Sequence, residues 1–289
     1  MAPPGASVAA PCCATGDAPG FEQLASWEDR AFGLRLGMTE SVGQWDAEGV
    51  WRGDEGRWSE RTTRAELYGL IRLATPVSAE LHLLVLWTQR TAGELEGQDV
   101  GLGEPNAGVR YALTEVGAGA WPGLALTAGV TLPLGRAPDE SETPLGTDVT
   151  GRGQWIPAAG VSVQESWTPW FARVDAALSV PLEGDRGGHR RGEAPGWFIG
   201  TLAGRDLDDE WAATLTLNLR RGGSKSLDGE KLPDSATSDT TVGASVGWKF
   251  SATLLAQFAV DAPLPFDGLG VNHPTGPGFT VGLRDGDMW

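Results

Sequence analysis

From Trp27 onward the chain alternates apolar and polar residues with a period of two. The stretch 121–135, WPGLALTAGVTLPLG, shows the pattern. Leu124, Leu126, Ala128, Val130 and Leu132 share one parity, and Ala125, Thr127, Gly129 and Thr131 share the other. A helix needs about 20 apolar residues to cross a bilayer, whereas a period of two specifies a strand with one greasy face. The same alternation predicts twelve strands, over 29–41, 62–74, 80–90, 104–114, 122–133, 154–165, 170–182, 196–206, 211–221, 240–250, 252–262 and 277–288. Most run to about 11–13 residues, against about 9–11 for a transmembrane strand and about 5–6 for a strand of a soluble domain.

The connections alternate too. Short turns such as TPVSAE, EVGAGA, SWTP and DLDDE take turns with long polar segments such as GQWDAEGVWRGDEGRWSER and GRAPDESETPLGTDVTGRG. Bacterial outer-membrane barrels have this rhythm, with tight periplasmic turns and longer extracellular loops. The expected fold is therefore all-β, a single up-and-down antiparallel transmembrane barrel of about twelve strands. An even strand number places both termini on the periplasmic side. The barrel would occupy 25–289, preceded by a flexible periplasmic tail over 1–24 that is rich in Pro, Gly and Ala.

On that reading the apolar rows face lipid, among them Leu126, Ala128 and Val130, then Phe32, Leu34, Leu36 and Met38, then Leu67, Ile71 and Leu73. The opposite parity faces the lumen and carries Arg35, Glu66, Arg72, Arg110, Arg173, Asp175, Arg220, Lys249, Asp261 and Arg284, with Tyr68, Thr127, Ser162 and Gln164 between them. Charge on the lipid face costs about 2–4 kcal/mol at the midplane, so inward placement is close to obligatory. These groups either pair across a narrow barrel and fill it, or line a polar passage. In a passage, Arg72, Arg173, Lys249 and Arg284 would bias the periplasmic end toward anions.

Composition sharpens the picture at one point. There are 13 Trp against 2 Tyr. Trp27, Trp121, Trp167, Trp170, Trp211, Trp248 and Trp289 fall at short-turn or terminal ends of strands, and Trp87, Trp155 and Trp197 at long-loop ends. Two aromatic girdles flanking an apolar band mark lipid interfaces. Tryptophans capping the strands of a soluble sandwich would leave the alternating connection lengths unexplained.

The net charge of −16 argues against a nucleic-acid binder. Acidic residues gather in the long loops, as in DESE at 139–142, where divalent cations or lipopolysaccharide would make contact. The expected partners are outer-membrane lipid, lipopolysaccharide and a small-molecule solute. Cys12 and Cys13 are neighbours, with Cα atoms about 3.8 Å apart, too close for an ordinary disulfide. Met1 is followed by Pro, Gly and Ala without a basic start or apolar core, so no secretory signal is visible; an exported precursor's signal lies outside this sequence.

Enzymatic chemistry finds no foothold. His189 and His273 fall in long loops, His82 sits on the third strand, and no serine motif accompanies them. Asp208 and Asp209 read as turn residues. GLGEPNAG at 101–108 lacks the helix that a phosphate loop needs. No catalytic residue, metal site or cofactor is predicted.

The segments GLGEPNAGVRYAL (101–113), WPGLALTAGVTLPLGR (121–136) and PLGTDVTGRGQW (144–155) resemble the outer-membrane proteins grouped with the meta-pathway of phenol degradation. In that family a Gly-rich strand start ending in Arg-Tyr precedes an AGV-x-LP-x-G strand and a loop with LGT. ESWTPWFARVDAALSV continues the match, which is strongest over 100–180. Leu134 departs from the family's LPTG. The resemblance implies an outer-membrane barrel that acts as a channel or transporter for passive passage of small solutes, apolar or aromatic compounds among them. It supplies no catalytic residues. Two alternatives stay open: a closed structural or adhesive barrel that acts through its acidic loops, and a barrel enzyme. At the C-terminus, Asp285 and Asp287 share the parity of Phe279, Val281, Leu283 and Trp289. Either a bulge shifts the register there or the last residues leave the bilayer.

Overall fold

The structure is a computed structural model and describes residues 23–24, 28–53, 58–116, 122–186, 189–271 and 273–287. Cys12, Cys13, Trp27, Trp121 and Trp289 lie outside the described residues.

Twelve antiparallel strands close into a barrel. They are β1 (Arg30–Glu40), β2 (Trp58–Ala74), β3 (Val77–Ala92), β4 (Asn106–Thr114), β5 (Gly123–Thr131) and β6 (Ile156–Trp167). The second half comprises β7 (Trp170–Ser179), β8 (Gly196–Asp206), β9 (Trp211–Gly222), β10 (Thr237–Lys249), β11 (Leu254–Pro263) and β12 (Gly278–Asp287). Each strand pairs with its sequence neighbours, and β12 returns to β1 with Arg30 opposite Asp287. Closure leaves no sheet edge in the wall, as lipid requires of a spanning sheet.

The period of two sorts the residues. Phe32, Leu67, Leu126, Val174 and Leu215 stand exposed on the exterior, while their neighbours Tyr68, Thr127, Arg173, Asp175 and Thr214 are buried inside. Leu126 is 49% exposed and Thr127 only 4%, so one step along β5 crosses the wall.

The long connections are not plain polar loops. Gly43–Trp45, Trp51–Gly53 and His273–Thr275 form a three-stranded sheet. Trp45 is buried there, donates from Nε1 to the Phe266 carbonyl at 3.1 Å and meets Trp51 edge-on at 4.9 Å. A second small sheet joins Gly184–Arg186, His189–Glu193, Lys225–Leu227 and Glu230–Lys231. Strands of two to five residues are too short to show a period, which is why alternation missed them.

The segment predicted as 104–114 is observed as β4, and the long connection predicted ahead of it holds a further strand. Leu95–Leu102 pairs with the upper part of β3, and β4 pairs with the lower part. Between them Pro105, with no N–H to give a ladder, marks the break.

The register of β12 against β1 and β11 is continuous, with no bulge. Asp285 lies opposite Phe32 and Leu254, and Asp287 bridges Arg30 at 2.8 Å. The two carboxylates therefore stay on the exterior, at the end of the strand beyond its apolar row.

Candidate functional site: the barrel interior

Strand register assembles the interior. Arg35 on β1 lies opposite Glu66 on β2, and Tyr68 on β2 opposite His82 on β3. Arg35 Nη1 approaches Glu66 Oε2 at 3.5 Å, and its guanidinium carbon sits 4.3 Å from the Tyr68 ring centroid. Tyr68 and His82 stack at 5.7 Å. Glu66 Oε1 meets His82 Nδ1 at 2.6 Å, while Glu80 Oε1 stands 3.7 Å from Nε2. The Nδ1 contact fixes the ring, while Glu80 stands beyond hydrogen-bond distance of Nε2. Gly33, opposite Tyr68, has no Cβ because one would overlap the Tyr68 ring.

On the far wall β6 and β7 place Gln164 opposite Arg173 and Ser162 opposite Asp175. Arg173 is 1% exposed and donates from Nε to Asp175 Oδ1 at 2.8 Å. Arg110 on β4 is buried beside Thr127, and its Nη1 has no hydrogen-bond partner. Thr214 and Ser245 share a hydroxyl hydrogen bond of 2.6 Å.

The short-turn half is packed. Phe171, Leu202 and Ala212 form one cluster with Leu255 against it. Leu24, ahead of β1, joins Ala31, Tyr68 and Leu70 in a second. Glu28 is buried in an ion pair with Arg284, and Arg72 donates to the Glu28 carbonyl at 2.6 and 3.0 Å. Leu24 and Glu28, ahead of the first strand, are thus docked inside the barrel. Arg72, Arg173 and Arg284, expected to present free positive charge at this end, each stand against a carboxylate: Asp29, Asp175 and Glu28. Lys249 lies at the same end, opposite Leu255. Arg220 lies toward the long-loop end opposite Phe198 and Asp239, and Asp261 opposite Gly243 and Gly278.

Across the long-loop half folds the connection 132–155, against the face of β3 that looks inward. Arg90 bridges Glu60 at 2.6 Å and donates to the Leu145 and Gly146 carbonyls at 2.8 Å. Thr147 packs over Gly97, and Thr150 over Gly101. Asp148 organises the segment. It accepts from Ser141 Oγ at 2.5 Å, Arg136 Nη1 at 2.7 Å, Glu142 N at 2.8 Å and Thr143 Oγ1 at 2.9 Å. Glu104 clamps the far end by accepting the N–H of Arg152 at 2.6 Å and of Gly153 at 2.9 Å. Gly151 beside it has no room for a Cβ against Glu104. The family-like segments 101–113 and 144–155 thus meet here, a role that spacing alone could not disclose.

Burial pushes the Asp148 carboxyl up, but hydrogen bonds from Glu142 N, Ser141, Arg136 and Thr143 outweigh it and hold the group far below the ordinary carboxylate range. A depressed folded pKa means that the stabilisation is present above the unfolded value, about 3.9, and lost as pH falls through the folded one. The connection should therefore stay ordered through mildly acidic conditions. Asp148→Ala should loosen it at neutral pH by about 1.5–3 kcal/mol, the worth of a hydrogen bond to a charged group. Amide exchange over 136–150 checks both; unchanged protection in Asp148→Ala would remove the organising role.

Trp155, Trp167, Trp170, Trp197, Trp211 and Trp248 stand at or next to the ends of barrel strands, whereas Trp87 lies inside β3, which runs on to Ala92. Trp87, Trp155, Trp167, Trp170 and Trp197 are exposed on the exterior, and Trp211 stacks on Trp248 at 5.3 Å.

A closed barrel with an apolar exterior and a charged interior defines the class: the fold is that of a bacterial outer-membrane β-barrel. It is similar to the COG4313 outer membrane channel from Pseudomonas putida F1, with a TM-score of 0.75 and 14% identity over 94% of this chain and 100% of that one. It also matches the β domain of the Bordetella autotransporter BrkA, with a TM-score of 0.52 and 12% identity over 90% of this chain and 100% of that one. No family model and no curated protein matches the sequence.

Proposed function

We propose that the protein is a passive channel of the outer membrane for small solutes, apolar or aromatic compounds among them. In this reading the short turns and both termini are periplasmic, with the chain ahead of residue 23 as a periplasmic tail. The long loops are extracellular, and their acidic residues meet divalent cations and lipopolysaccharide. The exposed strand-end tryptophans sit at the two lipid interfaces. One observation carries the reading: an interior lined by charged side chains opens at its long-loop end into a cavity of about 320 Å³. A barrel serving only as a scaffold has no need of such a cavity. The packed short-turn half favours a second reading, a closed structural barrel. Single-channel recording in a planar bilayer decides between them. Discrete conductance steps are expected, and a silent barrel that is folded by gel mobility would favour the closed form.

A further inference from the structure

The cavity at the long-loop end has two chemically distinct sides. Ile156, Ala177 and Phe198 supply an apolar wall, and Arg152, Arg220 and Lys225 bring positive charge to it, against Glu193. Its parts are set by the barrel. The β8–β9 register puts Arg220 opposite Phe198, with the guanidinium carbon 5.9 Å from the ring centroid, and Asp239 opposite Arg220 on its other side. Arg152 leaves the Glu104 clamp with its side chain 3.5 Å from Glu193. Against these cations stand Glu193, Asp239 and Glu104, whose Oε2 lies 3.9 Å from Arg152 Nε, and Lys225 is exposed at the rim.

We propose that this cavity binds a small organic anion with a flat apolar body, of which a single-ring carboxylate is the simplest case. The volume falls at the small end of ligand pockets, which combine apolar walls with a few placed polar groups. A carboxylate matches the planar fork of an arginine, and a ring lies against Phe198 and Ile156. The two alternatives each waste one side. A bare inorganic anion leaves the apolar wall wet, and a neutral hydrocarbon strips water from the cations without replacing it. The proposal deepens the channel reading by naming the solute's chemistry and rests on that reading for its purpose.

The test is equilibrium binding to the refolded full chain in detergent, by calorimetry, with benzoate, benzamide and acetate as probes. Benzoate is expected to bind about tenfold tighter than either of the others, a difference of about 1.4 kcal/mol. Arg220→Gln should lose that preference over benzamide, Phe198→Ala the preference over acetate, and Arg220→Lys should keep part of the first. Unboiled gel mobility shows that each variant is folded. Equal binding of the three probes, or benzoate binding unchanged in Arg220→Gln, overturns the site. Binding is read without flux, so the two readings fail separately. A conducting barrel that ignores benzoate loses only the site; a barrel that binds benzoate without conducting keeps the site and loses the channel.

Discussion

Leu126→Arg should destabilise the folded barrel in lipid by about 2–4 kcal/mol, while a charge introduced one residue later should be tolerated. Leu126 projects from the exterior of β5, 49% exposed, near the middle of a strand that runs from Gly123 to Thr131. An arginine there has to leave its charge in hydrocarbon or drag water to it, which is the source of the cost. Thr127 points the other way, 4% exposed and opposite Arg110. Thr127→Asp sets a carboxylate beside a buried guanidinium whose Nη1 has no hydrogen-bond partner. Its charge is compensated where it stands, so little stability should be lost. Because side chains alternate, a one-residue slip of β5 would exchange the two outcomes. Denaturant titration of both variants in vesicles is the measurement. Equal tolerance, or a worse Thr127→Asp, would show that the exterior of β5 does not face lipid.

That pair of residues also shows what the sequence discloses and where it stops. Parity needs only neighbours in the chain, so the wall was legible: the predicted 211–221 is observed as Trp211–Gly222 and the predicted 122–133 as Gly123–Thr131. Alternating connection lengths gave the antiparallel order without knowledge of any contact. The partners inside the barrel were not legible, because they depend on register between strands. His82 and Glu80 share one parity of β3, and that parity could have added both to the interior set. Nothing in the spacing says that Glu66 and Tyr68 arrive from β2 to meet His82. The connection 132–155 was harder still. Asp148 reads as one acid among many in a polar stretch, and only the folded chain shows four donors turned toward it. Gly101, Glu104, Thr147, Thr150 and Gly151, which fall within the segments that show the family resemblance, hold that connection against the wall. Their pattern could be recognised from sequence, but its cause could not.

The sequence reads as a tail through residue 24 and as barrel from residue 25; just ahead of β1, Leu24 and Glu28 are buried in the barrel. Glu28 sits in an ion pair with Arg284 in which both side chains are about 5% exposed or less. A buried pair adds little over an apolar substitute, but removing one member strands the other charge, at about 3–5 kcal/mol. Arg284→Met should therefore undock residues 23–24 and 28–29, since Glu28 escapes the penalty only by moving into water. The hydrogen bonds from Arg72 to the Glu28 carbonyl would be lost with it. Glu28→Gln combined with Arg284→Met removes both charges and should dock again, so the double variant is expected to be more stable in this region than the single one. Proteolysis ahead of Arg30 reads the docking directly. Bilayer conductance reads its consequence, because Leu24 packs in the short-turn half of the interior beside Tyr68 and Leu70. Arg284→Met should raise conductance and the double variant should bring it back. If single and double variants are cleaved and conduct alike, the ion pair does not hold the segment in place, and the packing of Leu24 against Ala31, Tyr68 and Leu70 must do so alone.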